Sequence, residues 1–173
     1  MNGTVCKLGE LLDGYASLEK KIQKMIYPVV NHYCNKCISR CCREEICKES
    51  IESSFLSVLI EKQRIPYDTK NGWISLSGCR LGFGRPKVCY EFFCEDILKS
   101  DLLIPAYILE IIKDFSLIGN KAYGNIHLLC IENLEIISSK KIDKMIHKIC
   151  ILMNKVANIR LHADRLFRAT SSK

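Results

Sequence analysis

Two short runs of the chain concentrate its reactive side chains. The first is Cys34-Asn-Lys-Cys37-Ile-Ser-Arg-Cys41-Cys42, with Cys47 just beyond; the second runs from Cys79 through Arg85-Pro86 to Cys89 and Cys94. Eleven of the 173 residues are cysteine, and any fold must place sulfur from both runs at once. An odd number of cysteines cannot all pair within one chain. The N-terminal Met1-Asn2-Gly3-Thr4 has no basic start and apolar run of a secretory leader. The expectation is a reducing, cytoplasmic setting in which the thiolates ligate metal rather than build a disulfide framework.

Cys34-x2-Cys37 has the spacing of a metal knuckle, in which a tight turn converges two sulfurs on one ion while backbone N–H groups face the thiolates. The adjacent Cys41 and Cys42 point in different directions, so one faces the metal and the other faces the core or a second centre. The basic residues Arg40, Arg43, Arg80, Arg85 and Lys87 are close in sequence to these sulfurs and can offset the negative charge of a thiolate site. Arg85 is the one expected to hold a fixed place beside a cofactor, since Pro86 stiffens the chain next to it.

The combined pattern resembles the YkgJ-type cysteine-cluster family, described as zinc- or iron-chelating domains. Cys34, Cys37, Cys41 and Cys42 match the first half of that pattern, and Cys79, Arg85, Pro86, Cys89, Phe92 and Cys94 match the second with its spacing kept. The resemblance covers about residues 34–96. It departs at Gly72–Gly78, where the family carries a further cysteine and this chain has none; either Cys47 substitutes for it or one site is incomplete. What the resemblance implies is metal binding rather than a defined reaction.

Two metal readings stay open on this ligand set. One is a pair of four-thiolate zinc sites; the other is a 4Fe–4S cluster with the remaining cysteines structural or serving a second centre. Iron–sulfur is the narrower choice, because only one clean Cys-x2-Cys knuckle is present. In addition, Val88, Tyr90, Phe92 and Phe93 form an apolar collar around Cys89 and Cys94. The cysteine loops hold few other large apolar residues, so a bound ion is expected to hold them together.

The fold expected around these loops is mainly α: a helical bundle with a small β-hairpin, in a single domain over 1–173. Leu8, Leu11, Tyr15, Leu18, Ile22, Met25 and Val29 alternate by three and four, as do Ile142, Met145, Ile149, Leu152, Val156, Ile159, Ala163 and Leu166. Heptad spacing of this kind gives each helix a narrow apolar seam, and the two seams are expected to pack on each other within the chain. Glu19, Lys20, Lys21, Gln23 and Lys24 occupy the other positions of the first helix. Pro28 is expected to kink or end the first helix.

Between the long helices, Ser50 is the expected cap of a helix over roughly 51–64, and Asn71-Gly72 the expected hairpin turn. A further helix is expected from near Pro105 to near Gly119, while 122–137 suits helix or strand. Cys6, Cys130 and Cys150 are expected as small buried hydrophobes.

No apolar stretch approaches the ~20 residues needed to span a bilayer. The formal charge of +7 suits nucleic acid, an anionic surface or an acidic partner, although solvated lysine faces give the same total. The function expected is thus a cysteine-ligated metal protein, iron–sulfur first, with a structural or redox centre and a protein partner. The alternative is a zinc-stabilised nucleic-acid-binding or protein-interaction module. An enzyme with an open metal position ranks below both, since no substrate is indicated.

Overall fold

The computed structural model describes residues 2–34, 43–75, 78–91, 93, 97 and 105–170; side chains are described from 6 to 28, at 30 and, in the last helix, up to 159. Among the described residues six helices carry the architecture: α1 (Asn2–Cys34), α2 (Glu44–Glu52), α3 (Ser54–Glu61), α4 (Val88–Glu91), α5 (Ala106–Ser116) and α6 (Ser139–Thr170). A two-stranded antiparallel sheet pairs β1 (Ile74–Ser75) with β2 (Gly78–Cys79). The chain is therefore mainly helical with a small hairpin, as its periodicities require.

The heptad seams meet. Leu11, Tyr15, Leu18 and Ile22 on α1 are buried together with Ile142, Met145, Ile149, Leu152 and Val156 on α6. Lys7 pairs with Asp143 at 2.7 Å, and a Cβ on Gly14 would lie 3.4 Å from Ile149 Cγ2. Matched in that order, the two contacts make α1 and α6 run in the same direction, with the small Gly14 allowing close approach. The seam positions Val29, Ala163 and Leu166 lie outside the described side chains.

α1 continues through Pro28 to Cys34, where the sequence favoured a kink or an end. Pro28 is exposed, so its ring and its missing donor fall on the solvent side of the helix.

α5 closes the bundle against α6 in the opposite direction. Lys155 binds Glu110 at 2.7 Å and Asp114 at 2.8 Å, Lys148 donates to the Leu117 carbonyl at 3.1 Å, and Lys141 donates to the Lys121 carbonyl at 2.8 Å. Phe115 on α5 sits 5.0 Å from the ring of Tyr15 and 5.4 Å from that of Tyr90. Tyr15 in turn meets Phe55 of α3 edge-on at 5.2 Å. These rings join four elements at the core, in the offset and edge geometries that aromatic pairs prefer.

The region after Cys42 departs from the expected single helix. Glu44 and Glu45 open α2, where acidic side chains favour the positive end of the helix dipole. Ser53, not Ser50, is the cap of α3: its side chain accepts from Leu56 N–H, and its extended backbone breaks the chain into two helices. The break lets Phe55, Leu56 and Leu59 face the main core while Cys47 faces a second, smaller cluster.

Asn71-Gly72 does form a tight turn, closed by the Asp68–Gly72 bridge and by the Asp68 carboxylate accepting from Lys70 and Asn71 N–H. The paired strands lie one step further on, with Ile74 opposite Cys79 and Ser75 opposite Gly78, so residues 76–77 join them outside the described set.

The segment 122–137 is neither helix nor strand. It makes two 3-10 turns, Leu128–Cys130 and Leu134–Ile136, anchored by buried Leu128, Ile131 and Ile137. Among the described residues no helix is long and apolar enough to cross a membrane.

Candidate metal centre

The smaller cluster buries Cys47, Ile60, Trp73 and Leu81, with Ile65, Tyr67, Ile74 and Cys79 packed at its edge. Two cysteines distant in sequence thus share one pocket of side chains. Cys47 reaches it from the inner face of α2, and Cys79 from the end of β2. Burial pushes the Cys47 thiol up, the Trp73 backbone N–H that donates to it pulls it down, and the nearby Cys79 and Glu44 push it further up. An N–H donor aimed at sulfur is the feature that favours a thiolate there once a positive charge arrives.

Gly72 sets how closely the hairpin approaches α2. It adopts a left-handed backbone (φ 58°), and a Cβ placed on it would lie 2.6 Å from Cys47 Cβ and 2.8 Å from Cys47 Sγ. Gly72→Ala combines the left-handed cost of about 1–2 kcal/mol with overpacking of about 1–3 kcal/mol. Chemical denaturation is expected to show a loss of about 2–4 kcal/mol, with faster modification of Cys47 by a thiol reagent. Unchanged stability and unchanged reactivity would mean that the close approach is not maintained in solution.

The loop from Cys79 to Cys89 is fixed by polar side chains. Arg85 turns back into it, donating through Nε and its terminal nitrogens to the Leu81 carbonyl at 3.0 and 2.6 Å and to the Cys79 carbonyl at 3.5 Å. Gln63 accepts from Gly82 N–H and donates to the Phe83 carbonyl, both at 2.8 Å. From the opposite side Glu19, 0% exposed, accepts from Gly84 N–H at 2.7 Å and from Arg85 N–H at 2.9 Å. It also accepts from the Tyr90 hydroxyl, which is itself met by Gln23 at 2.8 Å.

Burial therefore raises the Glu19 pKa, while Tyr90 and the two backbone donors hold it down in part. Burial also works against the charge on Arg85, but Cys79, Tyr90, Glu19 and Cys89 outweigh it, so the guanidinium is held firmly protonated. A cation fixed between two cysteines and a buried carboxylate can compensate the negative charge of a thiolate-ligated metal.

Several expectations change here. Glu19, off the main seam, is buried. The second cysteine loop does not depend on an ion alone, because Gln63, Glu19 and Arg85 pin its backbone. Of the expected collar, Tyr90 turns to Glu19 and Phe115 in the main core, and Phe93 also packs there, while Cys89 is exposed. Cys6, Cys130 and Cys150 are exposed thiols instead of core residues.

Cys47 is brought near Cys79, and Arg85 near Cys79 and Cys89. Cys37, Cys41, Cys42 and Cys94, and the side chain of Cys34, lie outside the described residues, as does Phe92.

Among the described residues no group of three His, Cys, Asp or Glu side chains is close enough to hold a metal ion. The donor chemistry nevertheless suits one. Trp73 Nε1 and Ser50 Oγ, the latter one helical turn beyond Cys47, are buried with no hydrogen-bond partner among the described residues. Buried polar groups ordinarily find partners, and sulfur atoms of a filled site are acceptors for such donors.

No protein-family model, no curated protein and no solved structure matches this chain. The functional reading rests on its own residues and on the cysteine pattern.

Glu19 is the residue that the sequence hid. A signal existed: Leu12, Ala16, Glu19, Gln23 and Ile26 repeat the three-and-four spacing beside the main seam. Leu12, Ala16, Glu19 and Ile26 are all buried. An acidic residue on a second apolar stripe is a buried carboxylate in need of donors.

Proposed function

We propose that this chain is a cysteine-ligated metal-binding protein carrying an iron–sulfur cluster, with a structural or redox centre, and that it acts together with another protein. The observation that supports this most is the placement of Cys79 close to Cys47 and also close to the half-buried guanidinium of Arg85, which in turn lies near Cys89. The residues that would hold the centre are Cys34, Cys37, Cys41 or Cys42, Cys79, Cys89 and Cys94. Cys47, a reserve ligand on sequence grounds, gains weight from its place beside Cys79. The YkgJ-like spacing of the cysteines supports the same reading. A bound cluster would supply either a cross-link between the two cysteine runs or a one-electron couple.

Zinc uses the same thiolates, and the test separates the two. Protein purified anaerobically from iron-supplied cells is expected to be brown, with iron and acid-labile sulfide in similar amounts. Cys37→Ser and Cys89→Ser are each expected to lower both together. Colourless protein with stoichiometric zinc and no sulfide would replace the iron–sulfur reading with zinc, and protein with neither metal would end the proposal.

A further inference from the structure

The start of α6 and the turn after α5 line an open cavity of about 260 Å³. Its walls are Lys121, Lys141, Lys144 and Lys148, over apolar Ile118 and Met145. No carboxylate lines it among the described residues. We propose that this cavity is an anion site for the phosphate groups of a small ligand, of about the size of a pyrophosphate. The inference is independent of the metal reading.

Four observations meet there. First, two of the four lysines are held in place by backbone: Lys141 Nζ donates to the Lys121 carbonyl and Lys148 Nζ to the Leu117 carbonyl. A lysine so held retains two further N–H donors that need acceptors. Second, the carboxylates that could neutralise the group are engaged elsewhere: Asp143 with Lys7, and Glu110 and Asp114 with Lys155.

Third, α6 has no acidic residue in its first turn, although the positive end of a helix dipole favours anions. Lys140, Lys141 and Lys144 instead crowd this end with like charge, and lysines four apart along a helix repel each other. Fourth, Lys121 takes a left-handed backbone with φ 56°, a conformation that a side-chain-bearing residue adopts at a cost. It is this residue's carbonyl that receives Lys141.

A phosphate brings several charged oxygens to just such a set of ammonium groups, and lysine serves it as a point charge. The volume of the open cavity accommodates a compact diphosphate. The apolar floor from Ile118 and Met145 leaves room for a small organic portion beyond the phosphates.

The test is titration of the full chain with inorganic pyrophosphate at low ionic strength, by calorimetry and by thermal shift. The expected result is saturable binding with a rise in melting temperature. Lys144→Gln and Lys121→Gln, both at exposed positions, are each expected to weaken binding at least tenfold, which is about 1.4 kcal/mol. Lys24→Gln on α1 removes the same charge away from the cavity and is expected to bind as the parent does.

Three outcomes overturn the proposal: no saturation by pyrophosphate; equal loss in Lys24→Gln, which means unspecific attraction; or a mixed-sequence oligonucleotide that binds and that pyrophosphate does not displace, which assigns the lysines to a nucleic-acid surface. Circular dichroism of each variant establishes that it remains folded.

Discussion

Replacing Ile149 and Leu152 together with Ala is expected to remove about 4–8 kcal/mol of stability. Each is 3% exposed, and each large-to-small change in such a seam costs about 2–5 kcal/mol through lost burial and the cavity left behind. Ile149 also sits against Gly14, which has no side chain to fill the gap. Neighbouring changes share a cavity, so their sum is not strictly additive. A domain of this size has only about 5–15 kcal/mol to lose, so the double variant should be largely unfolded at 37 °C or melt far below the parent. Urea denaturation of the single variants reads the effect where the double variant is too unstable. If both single changes are silent, the seam is not the core of the molecule.

That seam was legible because heptad spacing has one economical solution, two stripes facing each other, and the chain uses it. The shorter elements were read less well, for separable reasons. Ser50 and Ser53 both suit a cap, and propensity cannot choose between them. The choice follows from burial, since Ser50 lies on the inner face of α2 beside Cys47 while Ser53 sits where the chain must turn. Asn71-Gly72 was correctly read as a turn, but a turn fixes only local geometry; pairing moved to Ile74–Cys79 because Trp73 is drawn into the cluster with Cys47. Residues 122–137 are apolar without either helix or strand period. Such a stretch packs through single side chains, Leu128, Ile131 and Ile137, held by 3-10 turns.

In the cysteine region the sequence reading named candidate residues but not how they are held. Arg85 was singled out for Pro86 beside it, and it does occupy a fixed place, although it binds the carbonyls of Leu81 and Cys79. Cys47 entered the sequence reading only as a substitute ligand. Three-dimensional placement against Gly72 and Cys79 gives it its importance. The polar clamps were illegible for a related reason: Gln63, Gln23 and Glu19 look like any helix-surface residues until the loop they bind is folded over them.

Glu19→Ala is expected to cost about 3–5 kcal/mol, because it strands three donors in the interior. Gly84 N–H, Arg85 N–H and the Tyr90 hydroxyl all end on this one carboxylate, and each unsatisfied buried donor costs about 1–3 kcal/mol. Water entering the vacated space recovers part of that.

The variant should also loosen the loop between Cys79 and Cys89, seen as faster hydrogen exchange at Gly84 and Arg85, while the α1–α6 seam stays protected. Glu19→Gln isolates the charge. Burial raises the Glu19 pKa in the fold above its ordinary value. A raised carboxyl pKa means that the folded state binds its proton more tightly than the unfolded chain does. The corresponding stabilisation is complete below the unfolded pKa and is lost as pH rises through the higher folded one. Gln cannot titrate, and its amide N–H₂ faces at least one backbone N–H that the carboxylate had accepted.

The parent is therefore expected to exceed Glu19→Gln in stability by most at acid pH. That margin should shrink as pH rises past the ordinary carboxyl range toward neutrality. Paired urea titrations across that interval measure the margin directly, since all other titrating groups are common to both proteins. A margin that stays constant with pH would show that Glu19 titrates alike in the folded and unfolded chain, and one that grows with pH would show that its three donors outweigh its burial.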